Sequence, residues 1–123
     1  MKTLLVIEDN LEIRENTAEL LELAGFKVIT AENGTEGLLM ASSQNPDIIL
    51  CDIMMPGIDG YQVIKHMREN PLTAAIPFIY VTASAEKTDV KIAMDLGANG
   101  YVRKPFDIAE LMEAIEGVTS NEA

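Results

Sequence analysis

The chain has 123 residues, 48% of them apolar, and twenty Asp and Glu against nine Lys and Arg give it a formal charge of −11. This length and apolar content predict one domain with a buried core, and the negative charge disfavours binding to nucleic acid or to an anionic membrane. The single cysteine, Cys51, excludes an internal disulfide and a cysteine-based zinc site, and it is consistent with a cytoplasmic location. No apolar run is long enough for a signal-peptide core or a membrane span, so a soluble protein is expected.

The first predicted strand, Leu4–Ile7, is continuously apolar, as is typical of a parallel strand buried on both faces. It ends in Glu8, Asp9 and Asn10. Either Asp9 or Asn10 can cap the helix that follows, and Gly25 ends that helix.

A second strand is predicted over 26–30. The second helix should begin at Asn33 and Gly34 and end before the Asn45-Pro46 pair, because proline disfavours helix at the preceding residue. Its inward-facing residues are predicted to be Leu38, Leu39 and Ser42.

The third predicted strand is an apolar run that ends in the carboxylate of Asp52, and Pro56, Gly57 and Gly60 then break regular structure. Open α/β sheets bind their ligands at the carboxyl ends of strands, which makes Asp52 a candidate for chemistry. The alternative is a turn aspartate that caps the segment from Asp59 to Asn70. This stretch alone does not decide between the two.

The remaining elements keep the same alternation. They are a third helix ending near Asn70, a strand over 76–82, a helix over 85–96, a strand over 100–104 and a last helix from Asp107 to Ile115, stopped by Gly117. We expect one domain over 1–118 and a polar tail, or the start of a linker, over 119–123.

Five strands that alternate with five helices predict an α/β fold, with a doubly wound parallel sheet covered by helices on both faces. The tips of strands one, three, four and five then share one edge. The candidate residues at that edge are Glu8, Asp9, Asp52, Thr82 and Lys104. Singly, each could be a helix cap, a strand end or a surface charge, but three carboxylates together would repel unless a cation lies between them. Oxygen ligands suit Mg²⁺, with Mn²⁺ as an alternative, and a lysine and a hydroxyl opposite suit a phosphoryl group.

These residues, with Asp52 to Gly60, Thr82-Ala83, Tyr101 and Lys104-Pro105-Phe106, stand in the order and spacing of one family. Along essentially its whole length the chain resembles a response-regulator receiver domain of two-component signalling. The resemblance implies a flavodoxin-like three-layer sandwich with strand order 2-1-3-4-5.

The resemblance also implies roles. Asp52 would accept a phosphoryl group from a histidine kinase or a histidine phosphotransfer protein, and the protein would catalyse only its own phosphorylation and dephosphorylation. Asp9, Asp52 and the Met54 carbonyl would bind Mg²⁺ directly, and Glu8 would bind it through water. Thr82 and Lys104 would contact the phosphoryl group. Tyr101 would act with Thr82 as the conformational switch.

Further expectations concern the output and the lifetime of the phosphorylated form. The face formed by helix four, strand five and helix five would contact an output domain or a partner protein. The residues two positions after the phosphoacceptor and the hydroxyl, Met54 and Ser84, would flank the hydrolytic water and tune the lifetime. The Lys104-Pro105 peptide is expected to be cis. Helix five carries Glu110, Glu113 and Glu116, which departs from the basic helix of winged-helix transcription regulators that dimerise through this face.

Two other classes of protein are alternatives. An aspartate-nucleophile phosphatase of small phosphoesters needs a second acid two residues after the nucleophile, where this chain has Met54. A flavodoxin-like nucleotide binder needs hydroxyls and free N–H groups in its first loop, where Glu8 and Asp9 would repel an anion. The phosphatase is the stronger of these alternatives.

Overall fold

The computed structural model of the chain describes residues 1–83 and 87–119. Strands and helices alternate along it. In chain order they are β1 (Thr3–Ile7), α1 (Leu11–Leu23), β2 (Lys27–Ala31), α2 (Gly34–Gln44), β3 (Ile48–Asp52), α3 (Gly60–Glu69), β4 (Phe78–Thr82), α4 (Lys87–Leu96), β5 (Gly100–Arg103) and α5 (Ile108–Thr119). All neighbouring strands pair in parallel, in the order β2-β1-β3-β4-β5, which confirms the predicted fold.

The sheet separates two apolar layers because alternate residues of its central strands point to opposite faces. On one side Ile7, Cys51 and Tyr80 pack with residues of α2, α3 and α4. On the other side Val6 and Leu50 pack with residues of α1 and α5. The strands β1, β3 and β4 are therefore covered on both faces, and their carboxyl ends are held rigidly.

Two predicted details are wrong. Leu39 was expected to face inward but is 66% exposed. The buried residues of α2 are instead small, because a Cβ atom on Gly37 would lie 2.4 Å from Cδ1 of Ile7.

Helix five was expected to end near Ile115, yet it continues through Gly117 to Thr119. The burial of Val118 can offset the roughly 1 kcal/mol cost of a helical glycine.

Local signals account for the helix starts near the sheet edge. The side chain of Asn10, one of the two predicted caps, accepts a hydrogen bond from the backbone N–H group of Ile13. Asp59 caps α3 and forms a reciprocal pair of hydrogen bonds with Gln62. The predicted start of helix four at Ala85 lies outside the described residues. Across the described ranges, every helix is too short or too polar to cross a lipid bilayer.

Candidate functional site

Three carboxylates meet at the carboxyl ends of β1 and β3, which are neighbours in the sheet. Glu8, Asp9 and Asp52 each offer one oxygen, and these oxygens all lie within 4.8 Å of one another. Glu8 is 4% exposed and Asp52 is 6% exposed, whereas Asp9 faces solvent. Burial of two acids beside a third is costly unless positive charge compensates them.

Lys104 supplies part of that charge. Its Nζ atom lies 2.8 Å from Oε1 of Glu8 and 3.1 Å from Oδ2 of Asp52. The lysine directly follows β5, and its backbone N–H group donates to the Thr82 carbonyl at 2.7 Å, which holds it beside the end of β4. The peptide bond from Lys104 to Pro105 is cis, as expected. Burial acts to lower the pKa of Lys104, but the hydrogen bond to Glu8 and the charge of Asp52 outweigh it, so the pKa is raised.

One ammonium group does not balance three carboxylates. The pKa of Asp9 is raised, first by partial desolvation in the cluster and then by its hydrogen bond with Glu8 and the charge of Glu8. A cluster of carboxylate oxygens with surplus negative charge suits a hard divalent cation such as Mg²⁺ or Mn²⁺. The residues present therefore fit the predicted metal.

The loop after β3 is packed closely against the site. The Met54 N–H group donates to Oδ1 of Asp52 at 3.3 Å, while the Met54 side chain is 75% exposed. Met55 is buried, as predicted. Gly60 is required here because a Cβ atom on it would lie 2.6 Å from the Asp52 carbonyl oxygen. Asp59 caps α3, so capping does not account for the position of Asp52.

Thr82 and Tyr101 lie on the neighbouring strands β4 and β5. Thr82 ends β4 and is buried. Tyr101 is 43% exposed, and its ring stacks on that of Tyr80 with centroids 5.7 Å apart and an interplanar angle of 28°. Tyr80 and Tyr101 are in register on adjacent strands. Tyr80 thus stacks on one predicted switch residue, Tyr101, and lies two residues before the other, Thr82, on β4.

Three contributors were missed at the sequence level. Arg14 donates to the Glu8 carbonyl at 2.9 Å, and the Asn10 N–H group donates to Oε2 of Glu8 at 3.2 Å. No spacing rule indicated the contact of Arg14. Tyr80 could have been found, because strand periodicity places it on the same face as Thr82. Ser84, predicted to tune the lifetime, lies outside the described residues.

Comparison with known proteins decides the family. The family model of the response regulator receiver domain matches residues 4–116. The chain belongs to this family. The receiver domain is 35% identical over 117 residues to the phosphate regulon transcriptional regulatory protein PhoB of Pseudomonas aeruginosa, covering 95% of this chain and 51% of PhoB. It is 35% identical to the protein PilH of the same organism, covering 96% of this chain and 98% of PilH. The chain thus spans about half the length of PhoB and nearly all of PilH.

Solved structures agree with the receiver fold. The chemotaxis protein CheY4 of Vibrio cholerae superposes with a TM-score of 0.92 at 28% identity, covering 96% of this receiver domain and 98% of that chain. A putative response regulator from Chloroflexus aurantiacus superposes with a TM-score of 0.91 at 33% identity, covering 98% of each chain.

Proposed function

We propose that Asp52 accepts a phosphoryl group from a phosphohistidine of a histidine kinase or a histidine phosphotransfer protein. The observation that carries this proposal is the pairing of the Asp52 carboxylate with Lys104 inside a cluster of three acids. A buried aspartate at a strand end is rigidly placed, and the lysine beside it can bind the phosphoryl oxygens as they arrive. Membership of the receiver family agrees with this role.

The transfer needs few groups. A carboxylate oxygen of Asp52 forms a bond to phosphorus while the phosphorus–nitrogen bond of the phosphohistidine breaks, and the electron pair of that bond stays on the imidazole. Charge in such a transition state is spread over the equatorial oxygens, so positioning and positive charge dominate catalysis. Lys104 would donate to one phosphoryl oxygen, and the Thr82 hydroxyl would donate to another.

Glu8, Asp9, Asp52 and the Met54 carbonyl would hold a Mg²⁺ ion. When bound, the ion would neutralise charge on the phosphoryl oxygens. As the receiver family implies, Glu8 would act through a water molecule, while its Oε1 atom lies 2.8 Å from Nζ of Lys104.

The output is proposed to be a change in the face formed by α4, β5 and α5. Thr82 would move toward the phosphoryl group, and Tyr101 would rotate into the space released. An output domain or a partner protein would recognise that altered face. The protein would catalyse only its own phosphorylation and the hydrolysis of its own acyl phosphate. It would not turn over an external substrate.

A phosphorylation assay tests the proposal. The purified protein is mixed with acetyl phosphate and Mg²⁺, and intact mass is followed with time. One labile phosphoryl group is expected on the wild type and none on Asp52→Asn, which is nearly isosteric but is a poor nucleophile. Asp47→Asn is the matched control, because Asp47 is an exposed acid just before β3. Multiple turnover of a phosphoester by the wild type, or equal labelling of Asp52→Asn, would contradict the proposal and favour the phosphatase.

A further inference from the structure

Tyr80 contains a buried polar group that the proposed phosphoryl transfer does not use. The residue is 0% exposed, and its hydroxyl oxygen has no hydrogen-bond partner in the part of the chain that the structure describes. A hydroxyl group in this condition loses its hydrogen bonds to water without replacement, and it raises the free energy of the arrangement that contains it. A phenylalanine would fill the same space without that cost.

The surroundings of Tyr80 connect it to the proposed switch. Its ring stacks on Tyr101, and it lies two residues before Thr82 on the same face of β4. The helix α4 covers this face, since Ala93 is fully buried in the same apolar layer as Tyr80. The hydroxyl of Tyr80 is therefore enclosed by elements that would rearrange.

Asp89 is the acceptor that fits this hydroxyl. It lies in the first turn of α4, one turn before Ala93 and on the same side of the helix, and it is half-buried. Burial chiefly raises the pKa of Tyr80 to about 12, and the nearby Tyr61, Tyr101 and the charge of Asp89 add to this. The carboxylate thus lies close enough to act on the phenol electrostatically.

The geometry points to a hydrogen-bond latch, in which the Tyr80 hydroxyl has no partner among the described residues in the resting form and donates to Asp89 when α4 shifts and Tyr101 turns inward. This inference rests on the proposed function and adds a positioning residue to it. The unpaired hydroxyl raises the free energy of the resting arrangement, and the new bond lowers that of the switched one. Both effects favour switching.

Fluorine NMR can follow the latch because the chain has only three tyrosines. Protein labelled with 3-fluorotyrosine is assigned by single Phe substitutions and titrated with beryllofluoride and Mg²⁺, a stable mimic of the phosphoryl group. The inward population of Tyr101 is taken from its resonance. Tyr80→Phe and Asp89→Ala should each lower the inward-to-outward ratio about fivefold, as expected for one lost hydrogen bond. In the double variant the inward-to-outward ratio should fall no further than in either single variant.

Two further measurements bear on the latch. Asp95→Ala is the matched control, because Asp95 is an exposed acid of the same helix that pairs with Lys91, and the ratio should not change. Tyr80→Phe should leave the resting protein at least as stable to urea as the wild type. A loss of stability, independent effects of the two substitutions, or no effect of either would overturn the latch. If the wild type itself failed to respond to beryllofluoride, the proposed function would fall and the latch with it.

Discussion

The Nζ atom of Lys104 lies 3.1 Å from Oδ2 of Asp52, across 52 positions of sequence. Replacing the lysine by methionine should leave Glu8 and Asp52 buried without a cation, and we expect Lys104→Met to lower the free energy of unfolding in the absence of Mg²⁺ by roughly 2–4 kcal/mol. Urea denaturation measures this change. Lys91→Met is the control, since its exposed pair with Asp95 should contribute less than about 1 kcal/mol. Equal losses in both variants would show that the pairing of Lys104 is unimportant.

A second prediction concerns the metal. Mg²⁺ at millimolar concentration should raise the melting temperature of the wild type, because an ion that binds only the folded state stabilises it by RT ln(1 + [L]/Kd). Asp9→Ala should remove most of this increase, because it takes away one of the three carboxylates that would hold the ion. Thermal melts with and without Mg²⁺ provide the measurement. Glu12→Ala, an exposed acid in the first turn of α1, should keep the full increase. A wild-type melting temperature indifferent to Mg²⁺ counts against the site.

A third prediction concerns the lifetime of the acyl phosphate. The thioether of Met54 is bulky and apolar, and it cannot orient a hydrolytic water as an amide can. Met54→Asn should therefore shorten the lifetime several-fold, a change of about 1 kcal/mol in the barrier. Loss of phosphoryl mass after removal of the donor gives the rate. The same substitution at Met94, a half-exposed residue on α4, should leave the decay unchanged. Unchanged or slower decay in Met54→Asn would refute this role of Met54.

Arg68 connects α3 to the segments that lead into β4 and β5, and it is expected to matter for stability. Its guanidinium donates five hydrogen bonds, to the carbonyls of Ala74 and Ile76, twice to that of Gly97, and to the Asn99 side chain. Burial lowers its pKa, which indicates a partly desolvated cation. Arg68→Met would leave several carbonyls without donors, and a loss of roughly 2–4 kcal/mol in urea denaturation is expected. Arg103→Met, an exposed substitution on β5, should cost less than about 0.5 kcal/mol. Comparable costs would contradict this role.

The last prediction is an alkaline pH dependence. Burial, more than the neighbouring phenols and Asp89, raises the pKa of Tyr80 to about 12 from an ordinary value of 10.0. Between these pH values the folded protein keeps a proton that the unfolded chain has lost, so stability should fall as pH rises, by up to about 1.4 kcal/mol per pH unit. Tyr80→Phe should remove this contribution and the last step of the tyrosinate absorbance titration. A Tyr80 step near pH 10 would contradict the burial of this hydroxyl.

Much of the fold follows from local patterns in the sequence. The continuous apolar runs of β1, β3 and β4 indicate strands covered on both faces, and the parallel arrangement follows from the helices between them. The side of each helix that faces the sheet is less predictable when small residues provide the contact. In α2 the close approach of Gly37 to Ile7 turns Leu39 outward, and hydrophobicity alone predicts the opposite.

Most of the charged residues of the candidate site could also be predicted from the sequence. The carboxylates of Glu8, Asp9 and Asp52 and the ammonium group of Lys104 come together because parallel strands end at one edge. The contact of Arg14 with the Glu8 carbonyl depends on the path of a long side chain from the first turn of α1 back to the end of β1, which residue type and spacing do not determine. That the Tyr80 hydroxyl has no partner within the ranges 1–83 and 87–119 is likewise a property of the packed interior alone.

The contact between Lys104 and Glu8 spans 96 positions of sequence. Contacts at such separation form late, because the chain must lose the entropy of a long loop before it gains them. During synthesis the acids emerge from the ribosome many residues before the lysine that neutralises them. A nascent chain therefore carries its carboxylates without their cation until β5 is available to pair with β4, and the proposed phosphoacceptor site is incomplete before that point.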